Sequence, residues 1–210
     1  MFNVKMCAEM IKDCRNINEE YDFDTLVSKH TGDYSRNTFM YWFRELWKHI
    51  PKEFLYQTYK DRLCSDKGGC WYDMFFKSEI VEEIHKVSKH DTAENSYLSS
   101  LLDENGYLTI YHGHCKPTMR GSHSWTLNKD IAIWFGARNA LFNGSPDFYC
   151  VTGKVRLNDV IAYIPEGGEE EIVVLQRNVK SKSKEFHKAS DVDLDALRRS
   201  FGWDGYKGEG

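Results

Sequence analysis

The chain has 210 residues, enough to bury a sizeable core as one large domain or as a domain with an extension. Its 28 basic and 32 acidic residues leave a net charge of −4, so no global basic field announces nucleic-acid binding, although a local basic patch is compatible with that balance. The 12 Phe, 12 Tyr and 6 Trp argue for a packed globule and against disorder.

In the opening stretch, MFNVKMCAEMIKDCRN, charges interrupt every apolar run, so it does not read as a secretory signal, and no later segment reads as a bilayer span. Six cysteines, at positions 7, 14, 64, 70, 115 and 150, lack CxxC pairs or a ligand-like histidine spacing, so no metal site is expected and reduced thiols are. A cytoplasmic protein without a membrane role follows. Up to about Asn105 the apolar residues recur at helical spacing. In NTFMYWFRELWKHI, Phe39, Phe43, Leu46 and Ile50 share a stripe, with Trp42 the residue expected to be exposed, and Pro51 suits the first turn of the next helix. PKEFLYQTYKDRL continues with Leu55, Tyr59 and Leu63, and after the turn signal SDKGG, FKSEIVEEIHKV carries Phe76, Ile80, Ile84 and Val87. DTAENSYLSSLL opens with Asp91 and Glu94 spaced as a capping box.

From Tyr107 the period shortens. YLTIYHG reads as a strand, and HSWTL as a short strand entering a helix, NKDIAIWFGARNALF, capped by Asn128 with Ile131, Trp134 and Phe135 inward. DFYCVTGKVRL alternates, with Tyr149, Val151, Val155 and Leu157 on one face; DVIAYI and EEIVVL complete the strands. KSKSKEFHK, Lys180 to Lys188, reads as a short basic run before a last helix, DVDLDALRRS. Helices first and strands afterwards predict an α+β protein, with a helical region over residues 1–104 and a small mixed-sheet core over 105–210.

The strand-rich half holds three polar clusters: Tyr111-His112-Gly113, Ser124-Trp125-Thr126, and Glu169-Glu170-Glu171 in GGEEEIVVL. Taken singly, each has a plain explanation: a hydrogen-bonded strand histidine, a helix cap, solvated strand-end charges. Strand alternation places Glu169 and Glu171 on one face, roughly 7 Å apart, with Glu170 turned away.

Together and in this order, the clusters resemble the toxin-type mono-ADP-ribosyltransferases. In that family an aromatic–Arg/His–Gly strand end, a Ser-Thr-Ser-like strand before a helix, and a Glu-x-Glu strand line one NAD cleft. YHGH matches the first, with histidine as in the poly-ADP-ribose polymerase-like and diphtheria-toxin-like branch. SWT matches the second with two replacements, the following helix carries the family's Ala-x-x-Phe pattern, and GGEEEIVVL matches the third. The resemblance covers about Tyr107 to Leu175, and similar stretches occur in bacterial and phage-related toxin or defence enzymes; the first hundred residues carry none of it.

The resemblance implies a division of labour. Cleaving the nicotinamide–ribose bond builds positive charge on the ribose, so negative charge must stand beside it. Glu171 would bond the ribose 2′-hydroxyl and Glu169 would meet the acceptor. His112 would bond a ribose hydroxyl or phosphate, and Gly113 would approach the nicotinamide carboxamide by its backbone. Tyr111 completes the first motif, Ser124 would brace Glu171, and Thr126 would do likewise or cap the helix. NAD is the implied substrate, with no metal. The implied acceptor is a macromolecule offering a nitrogen nucleophile, either a protein arginine or a nucleobase amine; the loop YIPEGG, with Pro165 and two glycines, suits an acceptor-contacting turn, with Glu166 read as solvated. A toxin or phage-defence role implies an antitoxin or another protein partner; the helical region, rich in aromatics and without a catalytic set of its own, is expected to bind the acceptor or a partner. Lys116, Arg120 and Lys180–Lys188 offer a local basic track. An NAD glycohydrolase and a catalytically silent interaction module of the same fold are the alternatives.

Overall fold

The computed structural model describes residues 4–65, 77–88, 92–115, 123–165 and 168–203. Phe76, Asp91, Lys116, Arg120, Glu166, Gly167 and, of the SDKGG turn, Asp66 to Gly69 lie outside them. The chain is α+β: a helical N-terminal half followed by a six-stranded antiparallel sheet with helices, forming two compact units, Met1–Asp91 and Thr92–Gly210.

The first unit holds helices α1 (Val4–Cys14), α2 (Phe23–Thr31), α3 (Arg36–Leu46), α4 (Lys52–Ser65) and α5 (Ser78–Ser88). Asp22 caps α2 by accepting from the Thr25 N–H, Ser35 caps α3 by accepting from Thr38 N–H, and Gly32 closes α2 at φ +66°. The expected stripe is wider than one face. Met40, Trp42, Phe43 and Leu46 are all buried, and Trp42, expected to be exposed, is only 1% accessible. A helix packed on a broad arc places an indole inside that a single stripe would leave out. The helix also stops at Leu46 and tightens into a 3₁₀ turn, Trp47–His49, before Pro51.

The second unit begins with α6 (Thr92–Ser100) and runs through β1 (Tyr107–His114), β2 (Ser124–Thr126), α7 (Lys129–Phe142), β3 (Asp147–Arg156), β4 (Val160–Ile164), β5 (Glu171–Val174), β6 (Lys180–Lys188) and α8 (Leu194–Ser200). The sheet order is β4-β5-β2-β1-β3-β6, every neighbouring pair antiparallel. Since β2 and β3 flank β1, α7 between them lies along β1. Its inner surface is made of small residues, Ala132, Gly136, Ala137 and Ala140, and this lets the helix backbone approach the strand closely. Asn128 caps α7 as expected, accepting from the Asp130 N–H; Ile131 and Trp134 are buried while Phe135 is half-buried. The opposite face carries the main core, where Leu108, Ile110, Trp125, Val151, Val155, Ile172 and Val174 meet.

The sheet is antiparallel throughout where a mixed one is expected, since the inserted helix α7 joins β2 to β3 across β1 and supplies no parallel neighbours. Two segments also depart from the sequence reading. The basic run Lys180–Lys188 is a full edge strand, β6, pairing with β3. The strand expected over EEIVVL begins only at Glu171, so Glu169 and Glu170 precede it in a turn. Glu170 has φ +46°, a left-handed conformation rare outside glycine, and that breaks the alternation on which the shared face of Glu169 and Glu171 depended.

Candidate active site

The sheet order brings the three clusters together, because β1, β2 and β5 are consecutive neighbours. Thr126 pairs with Tyr111 on one side and with Glu171 on the other, so these three side chains share a face of the sheet. Glu171, at the mouth of β5, is 8% accessible and leads into Ile172, Val173 and Val174, all fully buried. A carboxylate drawn this far inward is costly unless hydrogen-bonded. Ser124 meets that need: its hydroxyl donates to Glu171 Oε1 at 2.5 Å. Ser124 and Glu171, expected to meet, are thus hydrogen-bonded.

Ser124 also holds the histidine. His112 Nδ1 lies 2.9 Å from the Ser124 carbonyl oxygen, which can only accept, so Nδ1 carries the proton. Burial pulls the His112 pKa down to about 4; the Ser124 carbonyl opposes that shift and His114 nearby adds to it. The ring is thus neutral at pH 7, with Nε2 its acceptor nitrogen. Alternation sets His112 opposite in sense to Tyr111, beside Trp125 at a ring separation of 5.5 Å.

Thr126 neither braces Glu171 nor serves as the cap of α7. Its hydroxyl donates to the Glu169 carbonyl at 2.7 Å and accepts from the Asn128 N–H at 3.0 Å, tying the turn before β5 to the entry of α7. Leu127 N–H donates to the Glu170 carbonyl at 3.1 Å, a second tie on the same turn. The Glu170 carboxylate accepts from the Tyr97 hydroxyl at 2.8 Å. That contact raises the Tyr97 pKa, and the Tyr97 ring lies 5.6 Å from that of Tyr163. Glu169, half-buried, sits in this clamped turn and not on the strand. Tyr97 is a site neighbour that sequence reasoning missed: 73 residues separate it from Glu170, and nothing local marks the pairing.

Gly113 has a structural reason to be glycine. A Cβ there would stand 1.7 Å from the Ala132 carbonyl oxygen and 2.6 Å from the Gly136 nitrogen. Among the described residues, no three His, Cys, Asp or Glu side chains gather as metal ligands would, and no helix is long and apolar enough to cross a membrane.

The lowered His112 pKa predicts a pH dependence of stability. A histidine that ionises near 6.5 unfolded and near 4 folded binds its proton more readily in the unfolded chain. The neutral ring's contribution is complete above pH 6.5 and is lost as pH falls toward 4, by up to about 3 kcal/mol. Urea denaturation of wild type and His112→Gln across that window checks this. The wild type should lose more stability than the variant on acidification, and parallel curves would disprove the assignment.

Comparison with protein-family models, with curated proteins and with solved structures finds no match for this chain.

Proposed function

We propose that the chain is an NAD-dependent mono-ADP-ribosyltransferase that moves ADP-ribose onto a nitrogen nucleophile of a macromolecule, in a toxin or phage-defence setting. The observation that carries this reading is the Ser124 junction: one residue of the middle strand bonds His112 by its carbonyl and Glu171 by its hydroxyl. It joins the three clusters whose order along the chain resembles the family.

In this reading NAD lies against β1, β2 and β5 with its ribose at Glu171. The bond from ribose C1 to the nicotinamide nitrogen breaks, and its electron pair leaves with neutral nicotinamide. The Glu171 carboxylate stabilises the positive ribose and bonds its 2′-hydroxyl. The neutral His112 ring accepts from another NAD hydroxyl. The acceptor nitrogen then bonds to C1 and gives its proton to Glu169. Glu169 stands in a turn tied by Thr126 and Tyr97 rather than on β5.

Thermal denaturation with and without millimolar NAD, followed by radiolabelled NAD in whole lysate, tests the proposal. NAD should raise Tm by mass action. Label should pass to a product that protease or nuclease digestion then classifies. No stabilisation and no release of nicotinamide would defeat it.

A further inference from the structure

Edge strand β6 carries its lysines in an ordered way. From Ser183 to Lys188 its pairing with β3 is regular, so Glu185 and His187 face one side and Lys184, Phe186 and Lys188 the other. On the first side the residues are engaged: Glu185 pairs with Lys129 at 2.8 Å, and His187 stacks on Phe148 at 5.1 Å. The second side is solvent-exposed, with Phe186 56% accessible and both lysines exposed. Lys182, at the register shift, is exposed as well and donates to the Gln176 carbonyl at 3.1 Å.

Phe186 does not stand alone. Register places it opposite Tyr149 of β3, which is itself opposite His114 of β1. The Phe186 and Tyr149 rings are 5.7 Å apart, Tyr149 and His114 6.5 Å, and His114 and His112 6.0 Å. The Lys184 ammonium stands 6.0 Å over the Tyr149 ring. A row of rings therefore crosses three strands from the exposed edge to the histidine of the candidate site, with cations along its outer end. Asp147 stands opposite Lys188.

We propose that this face of β6 and β3 binds single-stranded nucleic acid, and that it delivers the acceptor base to the active site. Bases stack on exposed rings without regard to sequence, while lysines at alternate strand positions follow the phosphates. A duplex keeps its base faces stacked internally and leaves Phe186 without a partner. An acidic peptide satisfies the lysines but not the rings. Beside Phe186, round the strand edge, lies a recess of about 300 Å³ lined also by His187, Lys188, Asp191 and Val192, of a volume that would take a terminal base. The delivery step rests on the transferase reading above; the binding does not.

Fluorescence anisotropy of the full chain with a labelled mixed-sequence 20-mer RNA, and the same DNA, tests the proposal. Saturable binding is expected, weakening with salt at a log–log slope of about −2 for three lysines. Phe186→Ala should weaken binding about tenfold or more. The triple variant Lys182→Gln, Lys184→Gln, Lys188→Gln should flatten the salt slope. Circular dichroism confirms that these exposed substitutions leave the fold intact, and NAD hydrolysis by each variant, expected at wild-type level, reports on the catalytic reading independently. Absence of binding, equal binding of a duplex or of polyglutamate, or indifference to Phe186→Ala would each overturn the surface. If wild type binds the oligonucleotide, hydrolyses NAD and leaves the oligonucleotide unlabelled, delivery is overturned.

Discussion

Glu171→Gln is expected to abolish NAD cleavage and ADP-ribose transfer together, each by at least about a hundredfold. The positive ribose arises in both reactions, so the carboxylate is needed whether water or a macromolecule attacks. The exchange is mild for the fold. The glutamine amide oxygen can still accept from Ser124, and the substitution removes a charge that is 8% accessible, so stability should change by about 1 kcal/mol or less. Loss of activity in a protein of normal Tm is therefore the expected pair of results. Glu169→Gln offers the contrast: transfer should fall while hydrolysis persists, because water needs less positioning than a macromolecular nitrogen. Nicotinamide release and label transfer, measured on both variants, separate the roles. A fully active Glu171→Gln protein would remove the basis of the proposed chemistry.

What could be read from the sequence divides along physical lines. The helical half, the strand-rich half, the Asn128 cap and the three clusters were legible because each is a local pattern of periodicity or capping. The Glu-Glu-Glu turn was not. A left-handed Glu170 leaves no mark in composition, and it shifts the start of β5 by enough to take Glu169 off the strand. Edge strand β6 was hidden for a different reason. An edge strand with solvent on one side alternates in lysine rather than in apolar residues, so its period of two reads as a charge run. Trp42 was misplaced because a one-face stripe underestimates a helix buried over a broad arc. The bringing together of Ser124, His112 and Glu171 depends on a sheet order that reverses chain order, β5-β2-β1, and no local pattern encodes that. The family resemblance supplied the grouping, and the hydrogen bonds through Ser124 supply a physical basis for it.

The same strand shows how one residue can be held by two demands. Gly113→Ala is expected to destabilise the protein by about 3 kcal/mol or more, because the new methyl group meets helix backbone and not a flexible side chain. At 1.7 Å from the Ala132 carbonyl oxygen, the methyl can be accommodated only if α7 lifts from β1. Lifting α7 would also disturb Gly136, whose own Cβ position lies 2.4 Å from the Phe148 ring, so the cost spreads into the packing on β3. A loss of that size lowers Tm by roughly 10 °C. Gly144→Ala is the control: φ is +65° but nothing stands within 4 Å, so only the backbone term, about 1 kcal/mol, applies. The proposed contact of the Gly113 backbone with nicotinamide adds a separate consequence, a rise in KM for NAD measured well below the variant's Tm. If Gly113→Ala melts no lower than Gly144→Ala, the close approach of α7 to β1 is wrong, and with it the placement of the strand end that carries His112.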